Sequence, residues 1–187
     1  MDILKMALFL FVVCAVAATA LALTNELTEE RILENKRKAE AEAREAVVGG
    51  VKAADCRERE LTLDGGTVKV YDYFDAANRR VAIVLKGTAK GFGGKMEFML
   101  GADPQGRILG IKALLPHQET PGLGTRVLSD EWLAQLKGLR APEAALSRDD
   151  PKGKVDAITG VTITSRGISA GVVDLLRKLE EKDEFGK

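Results

Sequence analysis

The sequence is short of the residues that build metal and redox-cluster sites. In 187 residues it has two cysteines, Cys14 and Cys56, and a single histidine, His117. No C-x-x-C or C-x-x-C-H spacing occurs, which excludes an iron–sulfur cluster, a zinc knuckle and an attached c-type haem. Cys14 lies inside an apolar N-terminal run, so Cys56 is the one thiol of the soluble part and cannot close an intradomain disulfide. Any metal site would rest on carboxylates, and no carboxylate cluster has metal spacing. Excess charge is missing too: 28 basic residues balance 28 acidic ones. That excludes the basic stripe of a nucleic-acid binder and lends no support to a polyanion-binding role. No G-x-G-x-x-G or Walker sequence follows a candidate strand, so Gly91-Phe92-Gly93-Gly94 is read as a loop at a ligand pocket and not as a nucleotide fingerprint.

What is present is a globular balance, with 45% hydrophobic and 30% charged residues, in a length that fits one ordinary domain plus an anchor. Residues 3 to 23, ILKMALFLFVVCAVAATALAL, carry one charge, Lys5. As a helix this run spans a hydrocarbon core of about 30 Å. The competing reading is a cleaved signal peptide, with Ala18-Thr19-Ala20 or Ala20-Leu21-Ala22 as the cleavage site. The run exceeds a usual signal h-region, which favours a retained anchor over residues 1–24. Arg31, Lys36, Arg37 and Lys38 follow the span and argue for a cytoplasmic C-terminal part, but they are interleaved with acids, and charge alone does not place the domain.

Residues 25–50 are rich in Glu, Lys, Arg and Ala and end at Gly49-Gly50, which predicts a helical stalk read as a solvated spacer. Residues 51–187 form the predicted soluble domain. Val68 to Phe74, Val81 to Leu85, Met96 to Leu100 and Ile108 to Leu115 read as four strands joined mostly by short turns, among them Asp64-Gly65-Gly66 and Asp103-Pro104-Gln105-Gly106. A short helix is expected from Asp130 to Lys137, capped by Ser129 and carrying the lone Trp132. A final one is expected from about Arg166 to Lys182, capped by Ser165, with Ile168, Val172, Leu175, Leu176 and Leu179 on one face. The fold class is α+β: a mostly antiparallel sheet with packed helices behind one transmembrane helix.

Two segments are unusual for a plain scaffold. His117-Gln118-Glu119-Thr120-Pro121-Gly122-Leu123-Gly124 follows a strand and combines two titratable groups, a hydroxyl, a rigid proline and two glycines. Glycine lets backbone approach a flat ligand and proline fixes the entry angle; the same residues also suit a simple strand-to-helix turn. Asp156 to Ser165, DAITGVTITS, crowds three threonines and a serine at the entrance of the last helix. A helix N-terminus suits a phosphate, whereas a Thr-Ile-Val strand followed by a serine cap accounts for the same letters.

In order along the chain, the Gly91–Gly94 loop, Gly106, the strand Ile108 to Ile111, HQETPGLG at 117–124, and Asp156, Thr159, Gly160, Thr162 with Thr164-Ser165 resemble the FMN-binding domain family. Within it they are most similar to the G subunits of Rnf-type electron transport complexes. The resemblance covers the N-terminal anchor and Leu61 to about Leu179. One departure is Val161 where the family has Ala, a bulkier residue that is stiff at χ1. The resemblance implies FMN esterified through its phosphate to Thr162 by a flavin transferase using FAD and Mg²⁺. It implies Glu119, Thr120, Leu123 and Gly124 beside the flavin, Thr159, Gly160 and Thr164 near the phosphate, and His117 within the loop or at the cofactor. Asp156 is assigned to transferase recognition or loop geometry. The implied function is an electron-carrier subunit of a membrane-bound, ion-translocating ferredoxin:NAD⁺ oxidoreductase. It would be a relay and not a complete enzyme, with its domain on the periplasmic side and other membrane and redox subunits as partners. Alternatives are the C subunit of a Na⁺-translocating NADH:quinone reductase, a stand-alone extracytoplasmic flavin reductase, or a membrane-tethered assembly module with no redox role.

Overall fold

The computed structural model describes residues 3–51, 53–63, 66–114 and 118–186. Helix α1 runs Ile3–Val48. At about 1.5 Å per residue, its apolar first part is long enough to cross a bilayer. Packing divides the chain into Met1–Lys38 and Ala39–Lys187. In the first unit Leu8, Phe9, Leu10 and Phe11 are all exposed, as a lipid-facing helix requires.

The second unit is built on five antiparallel strands in sequential order: β1 Asp55–Leu63, β2 Gly66–Phe74, β3 Arg80–Lys90, β4 Lys95–Ala102 and β5 Ile108–Leu114. The α+β class holds, but the sheet has one strand more than its sequence suggests. β1 reads DCRERELTL and most of it is exposed. Charged residues on a sheet edge discourage pairing with another chain, and the same charges conceal the strand from a search for apolar alternation. β3 also extends further than expected, because Lys86 to Lys90 continue the pairing with β4 and leave only Gly91–Gly94 as the hairpin loop.

Side-chain alternation gives the sheet two buried faces. Val70, Ile83, Leu85, Phe98, Leu100 and Ile111 form the larger core with helix α3, Thr162–Glu181, and the segments before it. Ala82, Val84, Met99 and Leu114 face the last turns of α1, where Ala43, Val47 and Val48 are buried. The expected solvated spacer is therefore core at its C-terminal end. Gly101 and Gly110 face each other across β4 and β5, and a Cβ on either would stand 2.9 Å from the Val47 carbonyl oxygen. The helix end lies directly on backbone there, and no side chain fits between.

Helix α3 starts four residues earlier than expected. Gly160 turns the chain at φ 82°, Val161 is the buried N-cap, and Thr164, Ser165, Ile168 and Val172 line the inner face. Ser165 is therefore a first-turn core residue and not the cap. Between β5 and α3 lie a 3₁₀ turn, Gly124–Leu128, and the short helix α2, Asp130–Leu133, continued by a 3₁₀ turn to Leu136. Ser129 caps α2 as expected, accepting from the Trp132 N–H at 3.3 Å.

The residues after α3 are tied back by buried charge. Glu184 accepts from Arg59 at 2.6 Å and pairs with Arg80 at 3.4 Å, and Asp72 pairs with both arginines. The hydrogen bond to Asp72 raises the Arg59 guanidinium above its ordinary range, with Glu184 adding to it against burial. Burial pushes the Glu184 carboxyl up, but Arg59 and Arg80 together hold it below the usual range.

Candidate functional site

Three segments converge at one end of the sheet: the β3–β4 loop, the stretch after β5, and the N-terminus of α3. The loop closes on itself, Gly91 N–H donating to Gly94 O at 2.8 Å. Glu119 is the pin between the three. It is 5% exposed; its Oε1 accepts from the Gly93 N–H at 3.0 Å and its Oε2 from the Thr164 hydroxyl at 3.0 Å. Thr164 Oγ1 in turn accepts from the Phe92 N–H at 3.2 Å. The glycines around it are steric necessities. A Cβ on Gly91 or Gly124 would fall 2.0 or 2.4 Å from a Glu119 carboxylate oxygen, and one on Gly93 would fall 1.7 Å from the Gln118 carbonyl.

Beyond Glu119, Thr120 O accepts from the N–H groups of Leu123 and Thr125, at 3.2 and 3.3 Å. Gly122 turns the chain at φ 76° and donates to Thr125 Oγ1 at 3.0 Å. The result is a cavity of about 290 Å³ between Phe92, Thr120, Leu123, Gly160, Thr162 and Ile163. Phe92, Leu123 and Ile163 keep 72%, 48% and 55% of their surface exposed around it, an apolar rim that none of the described residues covers. A larger cavity of about 490 Å³ opens beside β2 and β3. Lys86 on its wall is matched by acids, pairing with Glu40 and Glu97 at 3.1 and 3.4 Å. Among the described residues that line it no helix begins, so the smaller cavity is the better chemical candidate.

The floor of the smaller cavity is the start of α3. Its N-cap is Val161, and no side chain caps this end. The first backbone N–H groups of a helix have no intrahelical acceptor, and the dipole adds positive potential. An anion is the natural occupant.

The hydroxyls there are not equivalent. Ser165 is fully buried, and its Oγ donates to Val161 O at 2.9 Å and accepts from the Ile158 N–H at 3.3 Å. Thr164 is 1% exposed and held by Glu119. Thr159 is exposed and does not line the cavity. Thr162 lines it, half-buried, and its hydroxyl makes no hydrogen bond among the described residues. Of the sequence-derived candidates, Glu119, Thr120, Leu123, Gly124, Gly160, Thr162 and Thr164 come together, and His117 lies outside the described residues.

Asp156 is exposed but held from three sides: its carbonyl accepts from Trp132 Nε1 at 2.7 Å, its N–H donates to Gln135 Oε1 at 2.9 Å, and its Oδ1 accepts from Ser147 Oγ at 2.9 Å. That arrangement serves loop geometry. Trp132 is core and does not reach the cavity. Val161 is buried in the main core, which absorbs its extra bulk. Phe92 lies in the loop that the sequence places at a ligand pocket, although it is not singled out there; Ile163 is not among the sequence-derived candidates, and an apolar residue between two threonines is its signal. Among the described residues no group of three or more His, Cys, Asp or Glu is placed to hold a metal.

Residues 91–177 match the FMN-binding domain family, and residues 1–47 match the RnfG N-terminal region. The chain is 34% identical to the G subunit of the ion-translocating oxidoreductase complex of Stutzerimonas stutzeri, over 93% of this chain and 78% of that one. It is 32% identical to the G subunit of the Na⁺-translocating ferredoxin:NAD⁺ oxidoreductase complex of Acetobacterium woodii, over 91% of this chain and 88% of that one. Among solved structures, NqrC of Shewanella oneidensis superposes with a TM-score of 0.52 at 21% identity, covering 71% of each chain, a likeness of fold.

Proposed function

The chain belongs to the family of G subunits of ion-translocating oxidoreductase complexes, and from that premise we propose that it is their electron-relay component, carrying FMN as a phosphoester on Thr162. The observation that supports the attachment point is the division of labour among the hydroxyls. Thr164 and Ser165 are buried and committed, while Thr162 faces the cavity at an uncapped helix start.

The residues present fit the cofactor. The first N–H groups of α3 would hold the phosphate, and Phe92, Leu123 and Ile163 would pack on the ring. Attachment requires Thr162 Oγ to displace AMP from FAD at the FMN-side phosphorus, the hydroxyl proton leaving with a base of the transferase. The bound flavin supplies electron transfer; the chain's own residues anchor, orient and partly desolvate it. In this proposal the soluble domain lies on the extracytoplasmic side, a reading that the family relation supports against the basic residues after the span, with the membrane and redox subunits of the complex as its partners.

The test is intact mass and in-gel flavin fluorescence of the denatured protein after co-expression with an active flavin transferase. One FMN adduct that disappears in Thr162→Val is the expected result. Absence of any adduct, with a control protein modified, would favour a tethered assembly module without redox function.

A further inference from the structure

Glu119 is a buried carboxylate whose partners among the described residues are two neutral donors, the Gly93 N–H and the Thr164 hydroxyl. Burying a charge without a counter-ion is costly, and fixed donors offset only part of that cost. Geometry alone does not require the charge. A glutamine in the same place would accept from Gly93 with its carbonyl oxygen and donate to Thr164 Oγ1 with its amide, at a smaller desolvation cost. Glu119 also lines the cavity that Thr162 lines, its carboxylate bonded to Thr164 in the first turn of the same helix end that would hold a phosphate. A bound phosphate and the Glu119 carboxylate would then be two anionic groups at one positive helix terminus, behind a low-dielectric wall in which a charge acts more strongly than in water.

We infer that Glu119 is a positioning residue with an electrostatic function: it locks the Gly91–Gly94 loop to α3 and holds the reduction potential of the bound flavin below the value of a neutral pocket. This inference rests on the flavin reading of the cavity. Reduction adds electrons, and a fixed negative charge beside the ring opposes that addition. Removing the charge while keeping the shape therefore raises the potential. Removing the Thr164 hydroxyl takes the acceptor from the Phe92 N–H, which the melting curve reads, and leaves the carboxylate with one donor and a less compensated charge, which lowers the potential.

The experiment is a potentiometric titration of the flavin-loaded full chain for the parent, Glu119→Gln and Thr164→Val, with intact mass to confirm loading and a melting curve of each flavin-free protein. Glu119→Gln is expected to keep the adduct and shift the midpoint upward by about a tenfold change in the reduced-to-oxidised ratio, or about 30 mV for a two-electron couple. Thr164→Val is expected to keep the adduct and shift the midpoint downward. If Glu119→Gln does not fold, Thr164→Val carries the test alone, and an unmoved or raised midpoint there overturns the proposal. Variants that melt lower but leave the potential unmoved show a clasp with no electrostatic function, which also overturns it. A parent protein without the adduct overturns the flavin reading itself, and this inference with it.

Discussion

Replacing Gly93 with alanine tests the packing of the site without removing any functional side chain. The new Cβ would stand 1.7 Å from the Gln118 carbonyl oxygen, which is backbone and cannot swing away. Ordinary C···O contact is about 3.3 Å, so the loop and the 118–124 stretch must separate by roughly 1.5 Å. That motion breaks the 3.0 Å bond from the Gly93 N–H to the Glu119 carboxylate. A hydrogen bond to a charged, buried acceptor contributes about 1.5–3 kcal/mol, and residual strain brings the expected loss to about 3 kcal/mol. For a domain of this size that lowers the melting temperature by about 6–12 °C. Gly122→Ala is the matched control: nothing lies within 4 Å of its added Cβ, but its φ of 76° strains an alanine. Its cost is about 1 kcal/mol, or about 2–4 °C. Thermal melting of the flavin-free proteins, with flavin loading measured in parallel, separates the two. A Gly93→Ala protein that melts within about 1 °C of the parent would refute the clasp between the loop and Glu119.

Other outcomes follow from the same structure. Flavin attachment should vanish in Thr162→Val and persist in Thr164→Val, as read by denatured-state fluorescence. Gly101→Val places a side chain 2.9 Å or less from the Val47 carbonyl oxygen, and overpacking of this kind costs about 1–3 kcal/mol; amide exchange at Ala43–Val48 should quicken. Removing the charge of Glu184 leaves Arg80, whose side chain is 9% exposed, with Asp72 as its remaining carboxylate partner, and Glu184→Gln should lose about 2 kcal/mol at pH 7 by chemical denaturation. The folded carboxyl of Glu184 lies below its unfolded value, so its contribution is complete above the unfolded pKa and lost as pH falls through the folded one. The gap between parent and variant should therefore close below about pH 4, and a gap that stays constant into acid would contradict the pairing.

Much of the site was legible because its motifs are local and in order, so that a resemblance to a known family could be carried residue by residue. HQETPGLG and DAITGVTITS each place their glycines and hydroxyls within a few residues, and the hydroxyl at Thr162 needs no distant partner to be noticed. β1 was not legible, because Arg57, Glu58, Arg59 and Glu60 satisfy an edge and mask the strand period. The start of α3 was misplaced for a related reason. Thr162, Ile163 and Thr164 favour a strand by propensity, and only burial of Val161, Thr164, Ser165 and Ile168 on one helical face outweighs that preference.

The sequence by itself determined the apolar span and the α+β class, since each rests on composition or period within a short window; for the two segments that meet at the cavity, composition left a plain turn and a capped strand open, and their resemblance to a known family singled them out. Tertiary structure alone decided which hydroxyl is free. Thr162, Thr164 and Ser165 are chemically alike and nearly adjacent, and Glu119, 45 residues from Thr164, separates them by drawing one hydroxyl into the interior. It also decided that the end of α1 is core, because Gly101 and Gly110 open a bare patch of sheet that becomes one patch only when β4 and β5 pair.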